Sequence, residues 1–210
     1  MSNNTFNLII DSALDKTYLI LSNANSVIKE RILSNQHHNR LVEEIGLFLK
    51  ENKLSLHDLT YIGIGQGPGF YTSMRMGALV GMTLSYAQKI PLVGFCSLMG
   101  YIPENSFNGE FYSIFDAKSK GIYGLKGEKT ENKITYAEKP LVLPIQEAQN
   151  LLKNQYIVTS CSDILCPYFS NCHFANFNSS HISQYVYQKF AKKEFLSHQD
   201  LELNYLIENP

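Results

Sequence analysis

GQGPGFYTSMRMG, from Gly65 to Gly77, follows the apolar run TYIGIG (Thr60 to Gly65) and opens a long segment in which Arg75 is the only charge up to Gln88. A β-rich run ending in glycine and proline, followed by an apolar segment with few breaks, predicts strand, tight turn and helix. Gly67, Pro68 and Gly69 make the turn, whose backbone N–H groups could hold an anion. The stretch lacks the Lys-Ser/Thr of a Walker loop. In the helix, Ser73, Gly77, Gly81 and Ser85 recur at every fourth position, while Met74, Met76, Leu79, Val80, Met82 and Leu84 point in all directions. Such a helix is expected to be buried on every side, its small stripe admitting a close neighbour. Glycine costs about 1 kcal/mol in a helix relative to alanine, so close packing has to compensate.

Upstream, a first helix is expected from near His37 to Asn52. Leu41, Ile45 and Phe48 fall on one face, widened by Val42 and Leu49. Two readings of this helix pair stay open: an internal seam, or a docking face for a second protein. The docking reading uses Leu41, Ile45, Phe48, Ser73, Met74, Gly77 and Gly81. It expects a large residue at Gly77 or Gly81 to abolish partner binding while the chain still folds. PLVGFC (Pro91 to Cys96) is another buried strand, and Ser55 with Asp58 reads as a small capping box.

Two segments resemble each other. FNLIIDSALDKTYLIL (Phe6 to Leu21) and FYSIFDAKSKGIYGLK (Phe111 to Lys126) share Phe6/Phe111, Ile9/Ile114, Asp11/Asp116 and Tyr18/Tyr123 at one offset, about half of the 210-residue chain. Each reads as strand, polar turn, strand, then a third extended stretch (Ser26 to Leu33, and Lys133 to Glu138). Helix and strand then alternate, with Ile145 to Lys153 helical, Tyr156 to Ser160 a strand and His181 to Glu194 a helix. The expectation is an α/β protein of two duplicated halves, 1–104 and 105–210, joined near Tyr101 to Gly109. The actin-like ATPase (ribonuclease H-like) architecture is such a duplication, with a cleft between the halves.

Composition narrows the function classes. The formal net charge is −1, which gives no overall attraction for nucleic acid phosphates. No run reaches the ~20 apolar residues of a membrane span, and the first residues lack a signal-peptide pattern, so a cytoplasmic address is expected. Cys161, Cys166, Cys172 and His173 raise zinc, but no C-x-x-C knuckle is present and Cys161 ends the apolar run YIVTSC; plain thiols are the reading kept. His37 and His38 are followed four residues later by Leu41 and Val42, so neither forms an H-x-x-x-H pair. No glycine follows Gly127, which removes the loops a nucleotide's adenosine side normally needs. A nucleotide cleft flanked by Asp11, Gly67, Gly69, Thr72 and Asp116 is therefore expected to be degenerate.

Gly65, Gly67, Pro68, Gly69, Thr72, Arg75 and Gly77 resemble the G-x-G-P-G-S-F-T-G-L-R-I-G signature of the bacterial tRNA threonylcarbamoyladenosine biosynthesis family TsaB, also called YeaZ. LIIDSALDKTYLIL is similar to that family's opening hairpin, the His37 helix to its H-S-x-x-L-L, PLVGFCSL to P-V-V-G-V-S-S-L, and FDAKSKGIY to D-A-R-R-G-E-V-Y. Phe70, Tyr71 and Ser73 replace the usual Ser, Phe and Gly, and LELNYLI has Leu203 and Ile207 where the family's tail has Pro and Arg. The resemblance implies a non-catalytic subunit that binds the catalytic homologue TsaD through the two N-terminal helices. It also implies a nucleotide-binding TsaE partner, and tRNA engaged only through the complex. This chain alone would bind no cofactor; ATP, metal and threonylcarbamoyl-adenylate would belong to partner subunits. Self-association through the same helices stays open, as does the alternative of an independent ATPase or small-molecule kinase of the actin-like fold.

Overall fold

A computed structural model describes residues 4–34, 40–197 and 201–206; the expected helix start at His37, along with His38 and Ile207, lies outside them. In chain order the first elements are strands β1 (Phe6–Asp11), β2 (Lys16–Asn23) and β3 (Ser26–Ser34), helix α1 (Leu41–Glu51), β4 (Leu59–Gly65), α2 (Tyr71–Gln88) and β5 (Leu92–Phe95). There follow β6 (Gly109–Asp116), β7 (Ile122–Lys129), β8 (Ile134–Tyr136), β9 (Leu141–Leu143), α3 (Ile145–Leu151), β10 (Tyr156–Thr159), α4 (Ser162–Leu165), β11 (Cys172–Phe174) and α5 (Ser179–Ala191).

The chain forms two compact units. The first comprises Met1–Ser97 with Ser179–Leu203, the second Leu98–Asn178 with Asn204–Pro210. Residues 179–197 thus pack with the first unit, not with the half 105–210 in which the sequence places them. The reason is α5, whose Val186 meets Gly63 and whose Phe190 stacks on Tyr61 at 4.2 Å.

In the first unit the strand order is β3-β2-β1-β4-β5. β1, β2 and β3 are antiparallel, and β4 and β5 run parallel to β1. Strand residues alternate between faces. Leu8, Ile10, Leu19 and Leu21 form one core with Leu41, Ile45, Phe48 and Leu49 of α1 and with Ala78 and Val80 of α2. Ile9 points the other way, towards Gly63 and Val186. Arg31 on β3 ties α1 down: it pairs with Glu44 at 3.1 Å and with Glu51, and lies over the Phe48 ring. The Ser55–Asp58 capping box is present.

The second unit repeats this topology. Its path β8-β7-β6-β10-β11 matches, antiparallel through β6, β7 and β8, then parallel for β10 and β11, with β9 paired to β7 as a sixth strand. Two related α/β halves are therefore confirmed by strand order. The residue matches that suggested them are one position out. Tyr112, Ile114 and Ile122 pack into the core with Ala148 of α3 and Leu165 of α4, so Ile114 faces its helices whereas Ile9 faces away from α1 and α2. A one-residue slip moves every side chain to the other face of a strand. The plain-thiol reading also needs correction, because Cys166 and Cys172 form a disulfide, which Cys96 and Cys161 do not join. No helix among the described residues is long and apolar enough to cross a membrane.

Candidate functional site

The Gly67–Phe70 turn is built against β1 of its own unit. Phe70 N–H donates to the Ala13 carbonyl at 2.7 Å, and Gly67 N–H donates to Ser97 Oγ at 3.3 Å. A β-carbon on Gly69 would lie 1.9 Å from the Ala13 oxygen, so only glycine lets the turn approach this closely. Donors spent on the protein's own chain are not offered to a phosphate.

Asp11 is the buried acid behind this turn. Its Oδ1 accepts hydrogen bonds from Ala13 N–H and Ser97 Oγ–H, both at 3.0 Å, while Oδ2 has no partner among the described residues. A β-carbon on Gly65 would lie 2.4 Å from the Asp11 carboxyl. Burial pushes its pKa up to about 6, against the pull of those two hydrogen bonds. Thus Asp11, Gly67 and Gly69 come together, joined by Ser97, which lies within the PLVGFCSL match but is assigned no role there. Thr72 stands exposed on the first turn of α2. Asp116 belongs to the second unit, where it pairs with Lys118 at 2.7 Å and faces the α3/α4 side of its sheet.

The raised pKa has a consequence for stability. The native carboxyl keeps its proton to higher pH than the unfolded one, so the native state binds more protons between about pH 4 and 6. Stability from this group is complete below pH 4 and lost as pH rises through 6, by about 3 kcal/mol for a shift of this size. Urea melts of the parent and of Asp11→Asn at pH 4 and 7.5 are expected to show the difference between them moving by that amount in favour of asparagine. An unchanged difference refutes a protonated Asp11.

The small stripe of α2 proves to be an internal seam. A β-carbon on Gly77 would lie 2.1 Å from Ser12 Oγ, and one on Gly81 would lie 2.4 Å from Ile64 Cγ2. Ser12 Oγ–H itself bonds the Ser73 carbonyl at 2.6 Å. Ser73, Met74, Gly77 and Gly81 are buried, as are Leu41, Ile45 and Phe48. The residues expected to form a docking surface are therefore buried within the chain, because the five-stranded sheet supplies the close neighbour that the glycines admit.

What lies outward is a different set. Along α2, Tyr71, Arg75, Leu79, Thr83 and Tyr86 are exposed at successive turns. Leu79 is 53% exposed and Tyr86 73%. Arg75 lies over the Tyr71 ring at 3.9 Å, a cation–π contact on the outer side of the helix. On α1, Val42 is 62% exposed and Leu47 also faces out, so Val42 does not widen the buried face. The expectation that α2 is buried all round fails on this side. Both helices belong to one core and both turn apolar side chains away from it.

Comparison with known proteins follows from this geometry. A family model described as TsaD, tRNA N6-adenosine threonylcarbamoyltransferase, matches residues 22–192. A protein of Buchnera aphidicola, tRNA threonylcarbamoyladenosine biosynthesis protein TsaB, is 27% identical over 139 residues, covering 62% of each chain. A Listeria monocytogenes tRNA N6-adenosine threonylcarbamoyltransferase is 30% identical over 129 residues, 53% of this chain and 38% of that one. The matches thus span less than two thirds of these relatives' lengths. Among solved structures, YeaZ from Pseudomonas aeruginosa superposes with a TM-score of 0.77 at 15% identity, over 95% of this chain and 99% of that one. That likeness shows the fold, which is the actin-like, ribonuclease H-like one.

Proposed function

This chain belongs to the tRNA N6-adenosine threonylcarbamoyltransferase family, and we propose that within it the chain is a non-catalytic subunit. Its task in this reading is to bind and activate a catalytic, TsaD-like homologue, which adds threonylcarbamoyl to N6 of adenosine 37 in ANN-decoding tRNAs. The observation that carries the proposal is the outer face of α1 and α2, where large apolar side chains stand exposed over a rigid glycine-packed seam. Exposed apolar patches on soluble chains mark interaction sites more often than isolated exposed leucines do.

Two features support a role without catalysis. His37 and His38 have no histidine four residues on, and the N–H groups of Gly67 and Phe70 bond within the chain. ATP, metal and threonylcarbamoyl-adenylate are then handled by partner subunits, including a TsaE-like nucleotide-binding protein. With a net charge of −1, tRNA is engaged through the assembly, in the cytoplasm. A second copy of this chain is the competing occupant of the same face.

The test is co-expression with a TsaD-like homologue, followed by size-exclusion chromatography at micromolar concentration. Co-elution of the two is expected. Separate elution, together with tight binding of Mg-ATP by the isolated chain in calorimetry, overturns the proposal in favour of an independent ATPase.

A further inference from the structure

The two sheets share a topology but not a covering. In the first unit, the face of β4 bearing Tyr61 and Gly63 lies under the 13-residue helix α5. The corresponding face of the second sheet carries Tyr156 and Val158 on β10, with His173 beside Val158 on β11. The segment after Ser97 packs on part of it. The Leu98 carbonyl accepts from Ser113 Oγ–H at 2.8 Å, and the Met99 carbonyl accepts from Tyr136 O–H at 3.2 Å. The outer strip, on β10 and β11, stays open as a cleft of about 560 Å³, and every residue lining it belongs to the second unit.

The cleft walls have a definite chemistry. Tyr156 and His173 of the lining form a column of rings with Phe107, which stands outside the lining. Phe107 lies on Tyr156 at 4.0 Å, and His173 stacks on Tyr156 at 4.3 Å, within 11° of parallel. His173 ends the column exposed, its Nε2 held 2.8 Å from Asn171 Oδ1. Asn105, Asn176 and Asn178 also line the cleft, residues whose amides both donate and accept. Glu104 adds a carboxylate, and among the described residues no lysine or arginine lines the cleft. Lys129 lies close by, but its Nζ is engaged by the carbonyls of Pro103 and Glu104. The walls are also anchored: the Cys166–Cys172 disulfide fixes β11 at its first residue.

A flat ring face, flanking amides and an acidic wall without cations suit a planar, hydrogen-bonding, uncharged ligand. We propose that this cleft binds an uncharged nucleoside, its base stacked on His173 and its edges read by the asparagine amides. The inference is independent of the docking face, which lies on the first unit. Phosphate is disfavoured by Glu104, so a nucleotide or an RNA strand binds more weakly than the nucleoside.

Calorimetry on the full oxidised chain tests this with four probes: adenosine, cytidine, AMP and a hexamer of adenylate. At least one nucleoside is expected to bind, with AMP and the hexamer weaker. His173→Ala is expected to lower nucleoside affinity about tenfold, the loss of one base–aromatic stack. Asn176→Leu, at an exposed position, is expected to lower it with the thermal transition unchanged. The proposal is overturned if neither nucleoside binds at millimolar concentration, if the phosphorylated probes bind as well or better, or if both variants bind like the parent. A His173→Ala chain that fails to fold leaves Asn176→Leu to decide.

Discussion

Gly81→Leu is expected to unfold the first unit. The β-carbon alone would lie 2.4 Å from Ile64 Cγ2 and 3.7 Å from Ile10 Cδ1, and non-bonded carbons do not approach below about 3 Å. The isobutyl group would have to enter the sheet or lift α2 off β1 and β4. Overpacking a close-packed core costs about 1–3 kcal/mol for a few added methylenes, and more where backbone has to separate. Here a whole side chain enters a helix–sheet contact. The expected cost exceeds about 4 kcal/mol, a large part of the 5–15 kcal/mol that holds a typical domain together. Gly81→Ala is milder, because the gain in helix propensity of about 1 kcal/mol offsets part of the clash. The measurement is a urea melt of the isolated chain followed by circular dichroism. If Gly81→Leu melts like the parent, the seam is not internal and the docking role first expected for the stripe returns.

This result bears on what the sequence can reveal. Period-four small residues fix that something approaches α2 closely, but not what. The sheet and a second protein leave the same signature in Ser73, Gly77 and Gly81. The strands, the turn and α2 were legible because their signals are local: alternation, glycine with proline, and an apolar run. The outer face was not, because Leu79 and Val42 are as apolar as the buried residues beside them. Only the position of the sheet tells inside from outside. The placement of α5 on the first unit is a long-range choice, written in the fit of Val186 against Gly63 and of Phe190 on Tyr61. The repeat was found for an imperfect reason. Asp11 and Asp116 align at the common offset, yet they face opposite sides of their respective sheets, so the likeness lies in strand order. Ser97 stands within the PLVGFCSL match, but a serine there looks like ordinary turn chemistry, and only the fold brings its hydroxyl to Asp11, where it donates a hydrogen bond at 3.0 Å.

Leu79→Glu is the converse substitution, expected to leave the fold intact and to abolish partner binding. Leu79 is 53% exposed, so a glutamate there keeps its charge in water, and surface changes of this kind stay within about 0.5 kcal/mol of the parent. At an interface between apolar helices the same carboxylate would be stripped of water with no cation opposite it. Central anchors cost 2 kcal/mol or more when merely truncated, and an unpaired buried charge adds to that. A loss of about a hundredfold or more in affinity for the TsaD-like partner is expected, close to 3 kcal/mol. Tyr86→Ala, at the most exposed apolar position of α2, is expected to weaken binding in the same direction. Ile164→Glu serves as the control: Ile164 is 50% exposed on α4 of the second unit and carries the same change in charge and hydrophobicity. Urea melts establish that each variant folds, and titration of the labelled partner gives the affinities. If Leu79→Glu binds like the parent while Ile164→Glu does not, the docking face lies on the second unit, and α1 and α2 serve only to cover their sheet.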